Sequence, residues 1–155
     1  MLAYLFWHRP RRGAERDEYE AAQRSFHAAL ETESACFRLA ELPFGGGPGY
    51  EDWYLVDGWA GLGALNAAAV DARRRPEHDR AAALAAGGWG GVYSLVRGET
   101  AIPAGTEWRD KPRGQASGDF LAALPETAVW RRELVLGPAP EICLATTATA
   151  GRERL

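Results

Sequence analysis

The sequence predicts an α+β fold, an antiparallel sheet with two helices laid on one face, and three observations carry that reading. Segments of strand period and helix period follow one another as strand, helix, strand, strand, helix, strand. Odd-numbered positions in the strand segments are mostly apolar or aromatic, whereas even-numbered ones mix aromatic and polar residues. In one stretch, Tyr50 to Val70, the period changes from two to about 3.6 without a break. At 155 residues the chain suits one domain with a real hydrophobic core. We take 1–147 as that domain, with a long loop at 98–128 and a C-terminal strand pair, and expect 148–155 to fray as a tail.

Leu2 to His8 alternates and reads as the first strand, ended by Pro10. Glu15 to Glu31 reads as an amphipathic helix. Tyr19, Ala22, Phe26, Ala29 and Leu30 make its apolar stripe, and Glu15, Asp17 and Glu18 sit in the first turn, where the helix dipole favours acids. Ala35 to Leu42 alternates again and closes on Pro43 and the turn-forming Gly45-Gly46-Gly47-Pro48-Gly49. Trp53 and Leu55 then lie on one side of a third strand, with Asp52, Tyr54 and Val56 on the other. From Asp57, an expected helix cap, Trp59, Leu62, Leu65 and Ala69 recur at helical spacing. Arg75-Pro76 interrupts that helix or starts another, over Glu77 to Ala86. Gly91 to Arg97 is the fourth strand.

This order is the ferredoxin-like βαββαβ pattern. In it, Leu5, Trp7, Phe37, Leu39, Trp53, Leu55, Tyr93 and Leu95 form the face expected beneath the helices. The even positions, among them Tyr4, Phe6, His8, Arg38, Asp52 and Tyr54, form an opposite face too aromatic to stand bare in water. That face is expected to be covered by a second subunit, the C-terminal segment or a ligand. Beyond Gly98, only Ser117 to Leu124 reads as helix, with Ser117 as N-cap. Val129 to Leu136 and Glu141 to Thr147 read as further strands. The irregular stretch between Glu99 and Thr127 is long enough for a lid, a binding loop or an interface arm. Its Trp108 is expected either to close over a ligand or to pin the loop to the core.

The element order and the strand-into-helix run from Trp53 to Leu65 resemble the dimeric α+β barrel superfamily, which includes antibiotic-biosynthesis-type monooxygenases, EthD-like proteins and stress-responsive barrel proteins. The resemblance spans roughly Leu2 to Gly98 and transfers no residue motif. It implies a homodimer, with small molecules bound between sheet and helices or inside the barrel. The segment from Val129 to Leu144 also looks like a stretch of uncharacterised bacterial proteins, which implies no activity.

Composition excludes several functions. A net charge of −3, with Lys111 the one lysine, builds no clustered positive field for nucleic acid. For Arg9 to Arg12 a solvated strand end is a commoner role than phosphate binding. No run of about 20 apolar residues marks a membrane span, and the N-terminal order of apolar residues before charges is the reverse of a secretory signal. The cytoplasm is therefore the expected location. Cys36 and Cys143 stand far apart, without metal or redox spacing, and read as small core residues.

The chemical candidates are few. His8, His27 and His78 are the candidates for a general base, since histidine is the residue type suited to that role near neutral pH. His8 ends strand one on the mixed face and is the candidate catalytic base; the commoner alternative is a histidine bonded to a backbone carbonyl or to Asp52. Arg38 is the candidate partner of an acidic group, and Tyr4, Phe6, Asp52, Tyr54 and Trp108 complete the candidate ligand-binding set. His27 lies one turn before Glu31 without further ligands, and no HExxH, nucleophile elbow or P-loop occurs, so neither metal nor cofactor is expected. Two functions remain open: a small-molecule-binding protein, such as a cofactor-independent monooxygenase or isomerase acting on a small aromatic or acidic compound, and a non-catalytic homodimeric structural or regulatory module.

Overall fold

A computed structural model describes the backbone of residues 1–155 and the side chains of all but 135 and 136. The strands are β1 (Leu2–Pro10), β2 (Ser34–Leu39), β3 (Gly49–Val56), β4 (Ala85–Arg97), β5 (Gly105–Arg109), β6 (Val129–Leu136), β7 (Ile142–Thr146) and β8 (Arg152–Arg154). The helices are α1 (Arg16–Ala29), α2 (Gly58–Ala69), α3 (Arg75–Leu84) and α4 (Ser117–Ala122). All eight strands join one antiparallel sheet in the order β5-β7-β6-β4-β1-β3-β2-β8. None of the helices is long and apolar enough to cross a membrane.

The odd-numbered residues do share a side, but helices do not cover it. Leu5, Trp7, Phe37, Trp53 and Tyr93 pack with Trp130 and Cys143 from the C-terminal strands, and Trp108 leans on this cluster. They fill the inside of a sheet that curls until it nearly closes on itself. The cause is a shortage of cover: both faces of the central strands are apolar, and the helices can shield only one. Each fully buried tryptophan removes about 200 Å² from water, worth about 5 kcal/mol at 25 cal/mol per Å². Trp7, Trp53 and Trp130 are all buried in this way. Register shifts at Arg9/Pro10, Val92/Tyr93 and Leu95/Arg97 add the local twist that such curling needs.

The ferredoxin-like expectation, a four-stranded sheet with helices on one face that pairs with a second sheet to form a barrel, is thus corrected. The barrel-like enclosure here is made by the eight strands of one chain. The helices cover the even face instead. Tyr19 and Ala22 of α1 and Ala81 and Leu84 of α3 pack on Cys36 and Tyr50, while Leu65 of α2 packs on Leu2, Tyr54, Val56 and Val92. The face expected to be covered by a second subunit, the C-terminal segment or a ligand carries the chain's own helices.

The segment expected to fray is also ordered. β8 pairs with β2, and Arg152 reaches across the seam, donating from Nη1 to the carbonyls of Pro103 (2.6 Å) and Ala104 (2.7 Å) just before β5. Its Nη2 meets Glu51 Oε1 at 2.9 Å inside the barrel. Glu51, fully buried, also accepts the indole N–H of Trp7 (2.8 Å) and of Trp53 (2.7 Å). Those three donors satisfy a buried carboxylate that would otherwise be costly. Two expected caps differ: Asp57 stands at the N-cap of α2 without a side-chain bond, and Ala116 rather than Ser117 precedes α4.

Candidate functional site

Between the even face and helices α1, α2 and α3 lies a cavity of about 960 Å³, a size suited to a small organic ligand. Strand pairing sets its sheet side. β1 and β3 run antiparallel with Tyr4 opposite Tyr54, Phe6 opposite Asp52 and His8 opposite Tyr50, so these even positions form one patch. Phe26 of α1, Leu62 and Leu65 of α2 and Ala81 of α3 supply apolar walls, and Trp59, 57% exposed, stands at the rim. Among the described residues Asp52 is the one carboxylate in the lining, and no arginine or lysine joins it.

Asp52 is the centre of the polar end. His8 Nε2 lies 3.1 Å from its Oδ2 and His27 Nε2 lies 3.1 Å from its Oδ1. The Tyr54 hydroxyl donates to Oδ2 at 3.0 Å. Burial by itself would raise the Asp52 carboxyl, but the two histidines outweigh it and hold the group far below the usual carboxylate range. Asp52 is therefore an anion in a dry setting. Burial first, and Asp52 second, push Tyr54 up, so it stays a protonated donor. The same order of causes raises Cys36, which remains a neutral thiol beside the carboxylate.

His8 is 1% exposed, and its two nitrogens differ. Nδ1 is hydrogen-bonded to the Tyr19 hydroxyl. Nε2, although close to Asp52, is out of line for a hydrogen bond and has no partner among the described residues. Its ring lies nearly parallel to Tyr50 and Phe6. Tyr19 is itself kept protonated, chiefly by burial and then by the charge of Asp52.

Of the residues expected from the sequence, His8, Asp52, Tyr4, Phe6 and Tyr54 come together on the cavity wall. Arg38 does not. It shares their parity but lies near the edge of the sheet, where Nη1 meets Glu20 Oε1 at 2.8 Å and Nη2 meets Glu153. Trp108 lies on the opposite side of the sheet, edge-on to Trp7 at 5.4 Å and to Tyr93 at 5.7 Å. Neither lines the cavity.

Three partners escaped sequence reasoning: Tyr19, His27 and Cys36. A signal for two of them exists in α1. Tyr19, Gln23 and His27 are spaced four apart, a seam of polar tips that shares Tyr19 with the apolar stripe, and such a seam on a sheet-facing helix demands polar partners opposite. Ligand atoms of His8, Cys36 and Asp52 lie within 4.8 Å of one another, near enough to share an ion. With Cys36 held as a thiol, the trio reads more simply as a hydrogen-bonded carboxylate centre. No family model, curated protein or solved structure matches this chain.

Proposed function

We propose that the protein binds a small, uncharged, largely apolar molecule in the cavity and exchanges a proton with it, an isomerase-type activity centred on His8 and Asp52. The observation that supports this most is the unpartnered His8 Nε2, buried at the polar end of a cavity whose other walls are apolar. A buried polar atom left without a partner costs about 1–3 kcal/mol, and function is a common reason to keep one.

The tautomer of His8 decides the direction of transfer. With Tyr19 protonated and donating to Nδ1, the ring proton of His8 sits on Nε2, so His8 enters the reaction as a donor to a ligand oxygen and not as the base the sequence suggested. Donation to a carbonyl oxygen acidifies the neighbouring C–H. Asp52, 3.1 Å from Nε2, is the carboxylate within reach of that proton, and it gains basicity as His8, one of the two groups that lower it, turns its N–H to the ligand oxygen, so the two groups can act on adjacent atoms of one molecule. With Arg38 outside the cavity, recognition of an acidic group loses its basis, and the ligand class narrows to neutral compounds. The same enolisation is the opening step of oxygenation without a cofactor, so the two activities share this centre.

Deuterium exchange tests the reading. With 2-tetralone in D2O, the protein should accelerate exchange at the carbon next to the carbonyl. His8→Ala and Asp52→Asn should each lower the rate by about 100-fold or more while 2-tetralone still binds. Bound 2-tetralone that exchanges no faster than in buffer would refute the chemistry.

A further inference from the structure

The floor of this cavity is built in an unusual way. Side chains on a strand ordinarily stand away from the sheet, yet the rings of Phe6 and Tyr4 lie down across the neighbouring strand. A Cβ built on Gly88 of β4 would come within 2.4 Å of Phe6 Cζ, and one built on Gly90 within 2.8 Å of the Tyr4 hydroxyl. The far ends of both rings therefore rest at the level of the β4 backbone, in space that any side chain would fill. β4 opposes Phe6 with Gly90 and His8 with Gly88, so the glycines recur on the even face.

The rings that lie down form a continuous surface. His8 and Phe6 are inclined by 22°, Phe6 and Tyr4 by 29°, and Tyr4 and Tyr54 by 24°, with centroids 5.7 to 6.4 Å apart. At one end stands His8 with its free Nε2. Among the described residues the lining carries no Lys, Arg or Glu, and its one carboxylate accepts from Tyr54 and lies 3.1 Å from each of two histidines.

We propose that this floor is a stacking platform for a flat, conjugated, uncharged ring system with one hydrogen-bonding oxygen directed at His8, and that Gly90 and Gly88 are its specificity-determining residues. The proposal rests on the reading that the cavity holds a small molecule, but not on any chemistry there. A flat π-face gains contact over its whole area on such a floor, whereas a puckered saturated ring of equal carbon number touches it at a few atoms. A side chain at either glycine would lift a ring and break the plane.

Gly90 is the position to change, because its nearest obstacles all belong to the Tyr4 side chain, while a methyl at Gly88 would also strike the backbone carbonyl of Trp7. The probes are 1-naphthol and its saturated counterpart decahydro-1-naphthol, titrated calorimetrically. The wild-type protein should bind 1-naphthol at least tenfold more tightly. In Gly90→Ala that ratio should fall below about threefold, mainly through loss of 1-naphthol affinity. Tyr4→Leu, which removes one ring and leaves β4 untouched, should do the same and decides the matter if Gly90→Ala does not fold. Equal affinity for the two alcohols in the wild type, or an unchanged ratio in a folded variant, would overturn the platform. Binding of neither alcohol would refute the cavity reading itself, and a tenfold preference without deuterium exchange of 2-tetralone would refute only the chemistry.

Discussion

Asp52 draws on four side chains from four elements, so its charge couples β1, α1, β2 and β3 at one point: His8 and His27 at 3.1 Å, the Tyr54 hydroxyl at 3.0 Å and the Cys36 thiol beside it. Its carboxyl is lowered in the fold, so it contributes stability that is present above its unfolded pKa of about 4 and is lost as pH falls toward the lower folded value. Urea unfolding between pH 7 and pH 3 should show that decline. Asp52→Asn should be less stable at pH 7 by about 3 kcal/mol and should show a flatter acid limb; an unchanged slope would mean that the carboxylate is not held in this way. At this scale much was legible, because a strand's parity assigns Tyr4, Phe6, His8, Asp52 and Tyr54 to one face without knowledge of the fold. Parity says nothing about position across the sheet, which is why Arg38 shares the face and misses the cavity. Nor does it reveal helix partners: the four-residue spacing of Tyr19 and His27 in α1 calls for polar partners, but three-dimensional packing alone says which ones.

Among the elements, α1, the first three strands and the second half of β4 were legible from local periodicity; β4 begins at Ala85, where the sequence reads the end of a helix, and β5 and β8 were not legible. Gly105–Arg109 shows no apolar run, and its strand form comes from pairing with β7, more than thirty residues away in sequence. The choice of which face receives the helices was hidden for a related reason: both faces are apolar, and only the match between the Tyr19-Gln23-His27 seam and the polar even positions distinguishes them. Trp108 of β5 separates a lid from a core role. Against Trp7 and Tyr93 it is a partly buried core residue, so Trp108→Ala should cost about 2–3 kcal/mol, read as a lower denaturant midpoint. The affinity for 1-naphthol should be unchanged in the folded variant. A lid residue would show the opposite pattern, with stability retained and affinity lost.

For the whole molecule, the decisive feature is how the sheet ends meet. β5 and β8 form no ladder with each other among the described residues, and Arg152 spans the gap with contacts to Pro103, Ala104, Glu51 and the face of Phe37. Removing it takes away both the seam and the counter-charge of Glu51, which has no access to water. Arg152→Ala should therefore destabilise the fold by about 3–5 kcal/mol, measured by equilibrium unfolding in urea. Loss of the seam and loss of the charge can then be separated. In Glu51→Gln with Arg152→Met the buried charge is gone, but an amide has one acceptor oxygen for the two indole N–H groups of Trp7 and Trp53. The double variant should recover about half of the lost stability. Full recovery would mean that the pair serves no closing role, and no recovery would mean that closure depends on the backbone contacts of Arg152 alone.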